Sequence, residues 1–285
     1  MPAGVQLACG GRADHGRVRG GPRDAAGRGG GRGDPDRPLP LPQRAAPAVS
    51  HLLAISPHLD DAAFSIGGTL AAHVRAGGRV TVLTCFTGNV ARPTGFALAC
   101  QRDKGLADDV DYMALRRAED EAACAVIGAE AIHLPFLEAP HRGYACAVAL
   151  FGARRGDDAI VAPLAEALAD AIARLAPDRI AGPLAIGGHV DHVVVREALA
   201  RATDTALLWE DWPYADRHAL SPSAEPAQRT VLDDGLRAAR HAMCAAYATQ
   251  IGFQFGDAGR LAARLAGIGE ERLYGQGVMS VRPAR

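Results

Sequence analysis

Short apolar runs alternate with longer segments of helical periodicity from residue 51 onward. This alternation is typical of βαβ units, in which parallel strands form a sheet and the connecting helices cover it. The candidate strands are 51–56, 79–86, 131–136, 179–184 and 206–210. The candidate helices are 65–75, 112–127, 158–175, 190–202 and 232–250. We therefore predict a single α/β domain over residues 49–285, built on a mostly parallel sheet.

Some connections between these elements are unusually long. They are 87–111, 137–157 and 211–230. Long segments without regular structure are uncommon in a compact domain unless they are functional. Asn89 and Arg92 in the first connection and His141 in the second are therefore candidate substrate-binding residues.

Residues 1–48 differ in composition from the rest of the chain. Gly, Arg, Pro and Asp dominate this segment, and apolar periodicity is absent. Such a segment buries too little apolar surface to offset the entropy cost of ordering it, so we expect a disordered leader. Arginine- and glycine-rich tails can bind single-stranded nucleic acid, but this one has almost no aromatic residues on which bases would stack.

The charge balance and the cysteines restrict the class of partner. The 285-residue chain has 31 Lys and Arg against 32 Asp and Glu, a formal net charge of −1. We therefore expect a small-molecule substrate rather than nucleic acid.

No apolar stretch suits a membrane-spanning helix or a signal peptide, which predicts no membrane insertion and a cytoplasmic location. The six cysteines contain no Cys-x-x-Cys pair, as expected for idle thiols in a reducing compartment.

Two polar clusters stand where a candidate strand leads into a candidate helix. They contain, in chain order, His58, Asp60, Asp61, His189, Asp191 and His192. Open α/β sheets bind their ligands at the carboxyl ends of the strands, so we expect the two clusters to converge there. The Gly-x-Gly-x-x-Gly fingerprint of dinucleotide-binding sheets is absent after the first strand, which argues against a nicotinamide or flavin cofactor.

His58, Asp61 and His192 match the ligand set of a catalytic zinc site. Such sites use three protein ligands of the imidazole and carboxylate type and keep a fourth position for water. Asp60, next to one of these ligands, is the candidate general base that removes a proton from the attacking water. The same ligands accept Zn²⁺, Fe²⁺ or another divalent metal, so the native metal stays open.

His189 and Asp191 complete the predicted catalytic group. Attack on an amide builds negative charge on the carbonyl oxygen, and a protonated imidazole at His189 would stabilise it. The same imidazole could then protonate the leaving amine. Asp191 is placed to orient an imidazole and to favour its charged form.

Three motifs of the chain occur together in a known family. They are the His58-x-Asp60-Asp61 turn, the Gly-Gly-His189-x-Asp191-His192 turn and the helical Arg116-x-x-Glu119. With them the chain resembles the PIG-L/LmbE superfamily of zinc-dependent N-acetylglucosaminyl de-N-acetylases, over roughly residues 50–280. The resemblance implies a Rossmann-like three-layer fold with the active site at the carboxyl ends of the strands.

The resemblance also implies a reaction and a set of roles. The family's zinc ligands fall on His58, Asp61 and His192, and its general base falls on Asp60. Its oxyanion-stabilising histidine falls on His189, and its substrate-contacting arginine falls on Arg116. The implied reaction removes an N-acetyl group from an amino sugar or its conjugate. Leu59 stands where the family commonly has Pro, and Ala62 where it commonly has Glu. Neither is a metal ligand, so the departures affect substrate preference more than chemistry.

Two other functions compete with this interpretation. Non-haem iron oxygenases also use two histidines and one carboxylate, but they are usually all-β barrels, whereas each cluster here leads into a helix. A catalytically inactive sugar-binding protein of the same fold is the other alternative. The presence of every expected chemical residue argues against it. The natural substrate, the acyl group and the oligomeric state stay open.

Overall fold

A seven-stranded sheet organises the computed structural model of the chain, which describes residues 49–218 and 224–278. Its strands are β1 (His51–Ser56), β2 (Arg79–Thr84), β3 (Glu130–His133), β4 (Arg179–Pro183), β5 (Leu207–Trp209), β6 (Gln228–Val231) and β7 (Glu270–Gly275). Their order across the sheet is β3-β2-β1-β4-β5-β7-β6. The first five run parallel, whereas β7 is antiparallel to both β5 and β6. The predicted α/β class with a mostly parallel sheet is confirmed.

The sequence prediction found the five parallel strands and missed β6 and β7. The parallel strands contain apolar runs because helices cover them on both faces. By contrast, β6 has no fully buried residue and β7 alternates between buried and partly exposed positions. These two strands therefore lack the apolar run on which the prediction depends. The leader expected over residues 1–48 lies outside the described residues.

Nine α-helices occur within the described residues, besides two short 3₁₀ helices at Ala139–Arg142 and Tyr214–Asp216. They are α1 (Asp61–Arg75), α2 (Gly95–Arg102), α3 (Tyr112–Ile127), α4 (Ala147–Leu150), α5 (Val161–Leu175), α6 (Val190–Ala202), α7 (Asp234–Ala245), α8 (Ala248–Phe255) and α9 (Ala258–Ala266). The bounds of α3 and α6 are those predicted, but the helix predicted over 232–250 is two helices, α7 and α8. The chain leaves the helical conformation at Tyr247, whose buried hydroxyl donates to Asp120 (2.6 Å). None of these helices combines the length and apolarity that crossing a membrane requires.

Helices pack on both faces of the sheet. Leu53 and Ile55 of β1 belong to a core that includes α5 and α6. Leu52 and Ala54, which alternate with them, belong to a second core that includes α1, α3 and α7–α9. Because successive residues of a strand point to opposite faces, β1 contributes to both cores and all of its residues are buried. The central strand is thereby held rigidly from both sides.

The connections of the sheet reverse direction between β1 and β4. From β1 the chain adds β2 and β3 on one side, whereas β4 and β5 lie on the other. Ligands of such sheets bind in the crevice outside the carboxyl ends of the strands at this switch point. The segments that follow β1 and β4 carry the two polar clusters. The topology therefore brings His58 beside Asp191, 133 positions further along the chain.

A buried ion pair supports the bent helix α1, which begins directly after the first polar cluster. The helix is interrupted at Ile66, where φ is −136° and ψ is 21°. Glu271 of β7 accepts hydrogen bonds from the backbone N–H groups of Gly68 (2.9 Å) and Thr69 (2.6 Å), which begin the next turn. Arg240 of α7 lies 3.3 Å from the same carboxylate. The antiparallel edge of the sheet thus anchors the helix whose amino end carries two candidate site residues.

Candidate active site

The two polar clusters meet in one cleft at the carboxyl ends of β1 and β4. Two groups of three side chains bring potential ligand atoms within 4.8 Å of one another there. The first group is His58, Asp61 and His192, and the second is His58, His189 and Asp191. His58 belongs to both groups, so its two ring nitrogens face different neighbours. Nδ1 of His58 faces Asp61 and is the candidate metal-binding atom, whereas Nε2 faces Asp191, which orients the ring.

Three ligand atoms converge in the first group. Asp61 Oδ2 lies 3.1 Å from His58 Nδ1 and 3.3 Å from His192 Nε2. His192 Nε2 is buried and has no hydrogen-bond partner among the described residues. Burial opposes a positive charge on His192, but the Asp61 carboxylate raises the pKa of the imidazole well above its ordinary value. Since the same negative potential favours a bound cation, and two imidazoles with one carboxylate suit Zn²⁺, these residues fit a catalytic metal.

Asp211 fixes the orientation of His192. Its Oδ1 lies 2.8 Å from His192 Nδ1, and its Oδ2 accepts a hydrogen bond from the backbone N–H of Ile186 (2.8 Å). With the proton on Nδ1, the Nε2 lone pair of His192 faces Asp61. Carboxylates commonly hold metal-binding histidines in this way. Asp211 was not among the residues predicted from the sequence, although it follows β5 as the two polar clusters follow β1 and β4.

Asp191 lies beside the imidazole of His58. Asp191 Oδ2 lies 2.9 Å from His58 Nε2, which leaves Nδ1 of His58 facing Asp61. Arg142 Nη1 donates to Asp191 Oδ1 (2.8 Å), and the Ala139 N–H donates to Oδ2 (3.0 Å). Burial acts against the charge on His58, but hydrogen bonds to Asp191 and Asp61 raise its pKa to about 9. Arg142 was not selected from the sequence.

His189 lies in the cleft with its ring edge-on to that of His58, the two ring centres 5.1 Å apart. Burial, and then the positive charge of His58, lower the pKa of His189 to about 3. Both influences favour the neutral form of the ring. Its Nδ1 accepts a hydrogen bond from the backbone N–H of Asp191 (3.2 Å), which assigns the ring proton to Nε2. A neutral imidazole of this tautomer can still donate a hydrogen bond from Nε2 to an oxyanion.

Asp60 is buried in the cleft wall beside Arg116. Its side chain is 3% exposed, and its Oδ2 accepts a hydrogen bond from Gln254 Nε2 (2.9 Å). Arg116 Nη2 lies 3.4 Å from Asp60 Oδ1, and Arg116 Nη1 lies 2.6 Å from Glu138 Oε1. Burial raises the pKa of Asp60 to about 6, although the Arg116 charge opposes the shift. A carboxylate with this pKa is suited to accept a proton near neutral pH.

The four predicted substrate-binding residues do not share one surface. Arg116 lines the cleft, which encloses about 680 Å³ together with its open mouth. Asn89 and His141 line a neighbouring cavity of similar size, and Asn89 Nδ2 donates to Asp111 (2.7 Å). Arg92 is exposed and lines neither space. Only Arg116 therefore stands next to the histidine and aspartate clusters.

Several cleft residues were not found from the sequence. They are Cys100, Lys104, Tyr112, Glu138, Tyr214, Gln250, Phe253 and Gln254. Most belong to α2, α8 or the segments that connect the parallel strands. Cys100, Tyr112, Glu138 and Pro140 also line the neighbouring cavity, so the two spaces have a common wall. No local pattern marks these residues, because the packing of separate loops brings them together.

The fold and the cluster define an α/β protein with two histidines and one carboxylate grouped at the switch point of its sheet. Residues 53–203 match the family PIG-L, GlcNAc-PI de-N-acetylase. The chain belongs to this family. The match extends from β1 to the end of α6 and therefore includes both polar clusters.

Several deacetylases are similar to the chain. The 2'-N-acetylparomamine deacetylase of Streptomyces fradiae is 36% identical over 187 residues, which cover 64% of the chain and 62% of that protein, less than two thirds of its length. The A40926 pseudoaglycone deacetylase Dbv21 has 30% identity and a TM-score of 0.66, covering 82% of the chain and 98% of that structure. The zinc-inhibited form of teicoplanin deacetylase Orf2 has 26% identity and a TM-score of 0.66, covering 82% and 100%.

Proposed function

We propose that the chain is a metal-dependent hydrolase that removes an N-acetyl or other N-acyl group from an amino sugar or its conjugate. The observation that carries the proposal is the convergence of His58 Nδ1, Asp61 Oδ2 and His192 Nε2 beside a buried carboxylate with a raised pKa, Asp60. Membership of the PIG-L family and the deacetylase names of the relatives support it.

His58, Asp61 and His192 would hold the metal, for which we propose Zn²⁺ while keeping Fe²⁺ and other divalent metals open. When bound, the cation polarises the acyl carbonyl and lowers the pKa of a water ligand. Asp191 and Asp211 keep the two imidazoles in the tautomers that direct Nδ1 of His58 and Nε2 of His192 to Asp61. The histidines are therefore held in place before any substrate enters.

Asp60 and His189 would perform the proton chemistry. Asp60 removes a proton from the attacking water, which then adds to the acyl carbon, and Nε2–H of His189 donates a hydrogen bond to the resulting oxyanion. The proton taken up by Asp60 is available to the departing amine nitrogen when the C–N bond breaks, and His189 is kept as the alternative donor. Arg116 keeps Asp60 in position and limits the rise of its pKa.

The substitution Asp60→Asn tests this assignment. It removes the proton acceptor with little change in shape, so release of free primary amine from N-acetylated sugars should slow by about 100-fold or more, while bound metal stays near the wild-type amount. Asp170→Asn, at an exposed position of α5, is the matched control and should keep wild-type activity. Full activity of the Asp60 variant would show that another group is the base.

The substrate and the metal require a screen rather than a single assay. N-acetylglucosamine conjugates and the N-acetylated antibiotic sugars named for the relatives are the first candidates, each supplied with enzyme loaded with one metal. Zinc needs a full concentration series, because one similar structure is a zinc-inhibited form. We also propose a reducing, cytoplasmic location, which the five free cysteines of the described residues support.

The alternatives predict different results in the same assays. An oxygenase would consume oxygen with Fe²⁺ and a 2-oxo acid, but the mostly parallel sheet is not the all-β barrel typical of those enzymes. A sugar-binding protein without activity would bind the metal and the sugar and release no amine. Amine release by the wild-type protein, lost on substitution of Asp60, separates the hydrolase from both.

A further inference from the structure

A single lysine stands among the 31 basic residues of the chain, and it lines the cleft. Lys104 follows α2 in the first long connection. All the other Lys and Arg residues of the sequence are arginines. The one primary amine carried by a side chain therefore belongs to Lys104, beside the candidate catalytic residues. No motif of the family resemblance includes this position.

Most of the hydrogen-bonding capacity of Lys104 is unused by the protein. Its Nζ donates to the carbonyl oxygen of Cys100 (3.0 Å), the one hydrogen bond that it makes within the described part of the chain. An ammonium group has three N–H donors and no acceptor. The carboxylates of Asp60 and Glu138, which also line the cleft, form their ion pairs with Arg116 instead. Two donors of Lys104 are therefore available to a molecule in the cleft.

Two aromatic rings hold the ammonium in place. Nζ lies 4.5 Å from the ring centre of Phe253 and 5.3 Å from that of Tyr112, within the range of cation–π attraction. Phe253 also lines the cleft, and 57% of its surface is exposed, which is unusual for a large apolar side chain. An exposed aromatic face next to unused N–H donors is an arrangement that binds the C–H and oxygen surfaces of a sugar.

We propose that Lys104 is a specificity-determining residue that donates hydrogen bonds to an oxygen acceptor of the substrate and disfavours an ammonium group at the same place. The proposal rests on the proposed deacylase function, because it takes the contents of the cleft to be the acylated sugar. Since an ammonium cannot accept a hydrogen bond, a hydroxyl or carboxylate oxygen is attracted and a second amine is repelled. Lys104 thereby favours oxygen-rich amino sugars over polyamine sugars.

Chemical labelling of the wild-type protein tests the contact without any turnover. An amine-selective acetylating reagent has two primary amines to modify, Lys104 and the amino terminus, and mass spectrometry resolves them. N-acetylglucosamine in excess should slow labelling of Lys104 several-fold and leave the amino terminus unchanged as the internal control. Equal rates at Lys104 with and without the sugar overturn the proposal.

Variants test specificity in the enzyme loaded with metal. In Lys104→Met the apolar stem remains and the donors are lost, so KM for a neutral N-acetylated sugar should rise about 10- to 100-fold with kcat little changed, the range of a hydrogen bond to a charged group. KM for 2'-N-acetylparomamine should rise less. Lys104→Arg should restore part of the affinity, and Arg102→Met, which removes an exposed cation from the same segment, should behave as wild type.

The outcomes separate this proposal from the proposed function. If the wild-type protein releases no amine from any substrate, the deacylase function fails, and the labelling result still shows whether Lys104 contacts a sugar. If the enzyme is active and Lys104→Met keeps the wild-type KM for both substrates, the specificity role is refuted while the function stands. A fall in kcat alone also refutes it, because lost substrate contacts change KM.

Discussion

Replacing Asp211 with Asn should weaken metal binding although Asp211 touches no metal in the proposed site. The carboxylate is 1% exposed and forms two hydrogen bonds, at 2.8 Å to His192 Nδ1 and at 2.8 Å to the Ile186 N–H. Both partners are N–H donors. An asparagine has one acceptor oxygen, so its NH₂ group must face one of the two donors. The variant therefore loses one hydrogen bond and places two donors against each other in a buried site.

The magnitude follows from the kind of hydrogen bond that is lost. A hydrogen bond to a charged group contributes about 1.5–3 kcal/mol, and about 1.4 kcal/mol corresponds to a tenfold change in an equilibrium constant. The zinc affinity of Asp211→Asn should accordingly fall about 10- to 100-fold, which is also the usual effect of losing the carboxylate behind a metal-binding histidine. The expected change is large enough to measure by competition with a chromophoric chelator.

A matched control comes from the other end of β5. Asp204 is exposed and precedes the strand that Asp211 follows, so Asp204→Asn removes the same charge without touching His192. It should keep the zinc affinity of the wild type. If Asp211→Asn stays folded by circular dichroism and binds zinc as tightly as Asp204→Asn does, His192 is not a metal ligand held by Asp211, and the proposed ligand set is wrong.

Two further predictions concern the metal and the fold. Chelation of the wild-type protein should abolish amine release, and added Zn²⁺ should restore it. His192→Ala should recover no activity with zinc. Activity that survives chelation would contradict the metal mechanism. Glu271→Gln should lower the free energy of unfolding by about 3–5 kcal/mol, because it leaves the buried Arg240 without its counter-charge. Denaturant unfolding measures this change. Glu270→Gln, a more exposed neighbour on β7, is the control, and equal effects of the two variants would contradict the argument.

The parallel half of the sheet could be predicted because its strands are buried on both faces. Such strands require continuous apolar runs, and β1 contains one that is visible without a structure. The same logic failed for β6 and β7, which are polar because they form the antiparallel edge. The break between α7 and α8 was also missed, since it involves the tertiary hydrogen bond from Tyr247 to Asp120. Long-range contacts of this kind leave no periodic signal.

The site residues also differ in whether the sequence alone could reveal them. His58 and His192 were selected because they follow strands, and Asp211 carries the same positional signal after β5, so it could have been found. The lowering of the pKa of His189 could not be predicted in this way. It depends on burial and on the charge of His58, neither of which spacing along the chain reveals. Lys104 was not selected from the sequence, because only the position of the segment after α2 beside Phe253 of α8 places it in the cleft.

The connection between β3 and α5, which forms part of the cleft wall, also supports a candidate metal ligand. Arg142, in the connection between β3 and α5, donates from Nη1 to Asp191, while its Nε and Nη2 donate to Asp158. Asp191 in turn holds His58. A change of this loop that alters the cleft wall therefore also moves a carboxylate on which a candidate metal ligand depends. Loop exchange between relatives with different substrates should transfer specificity only when this chain of contacts is kept.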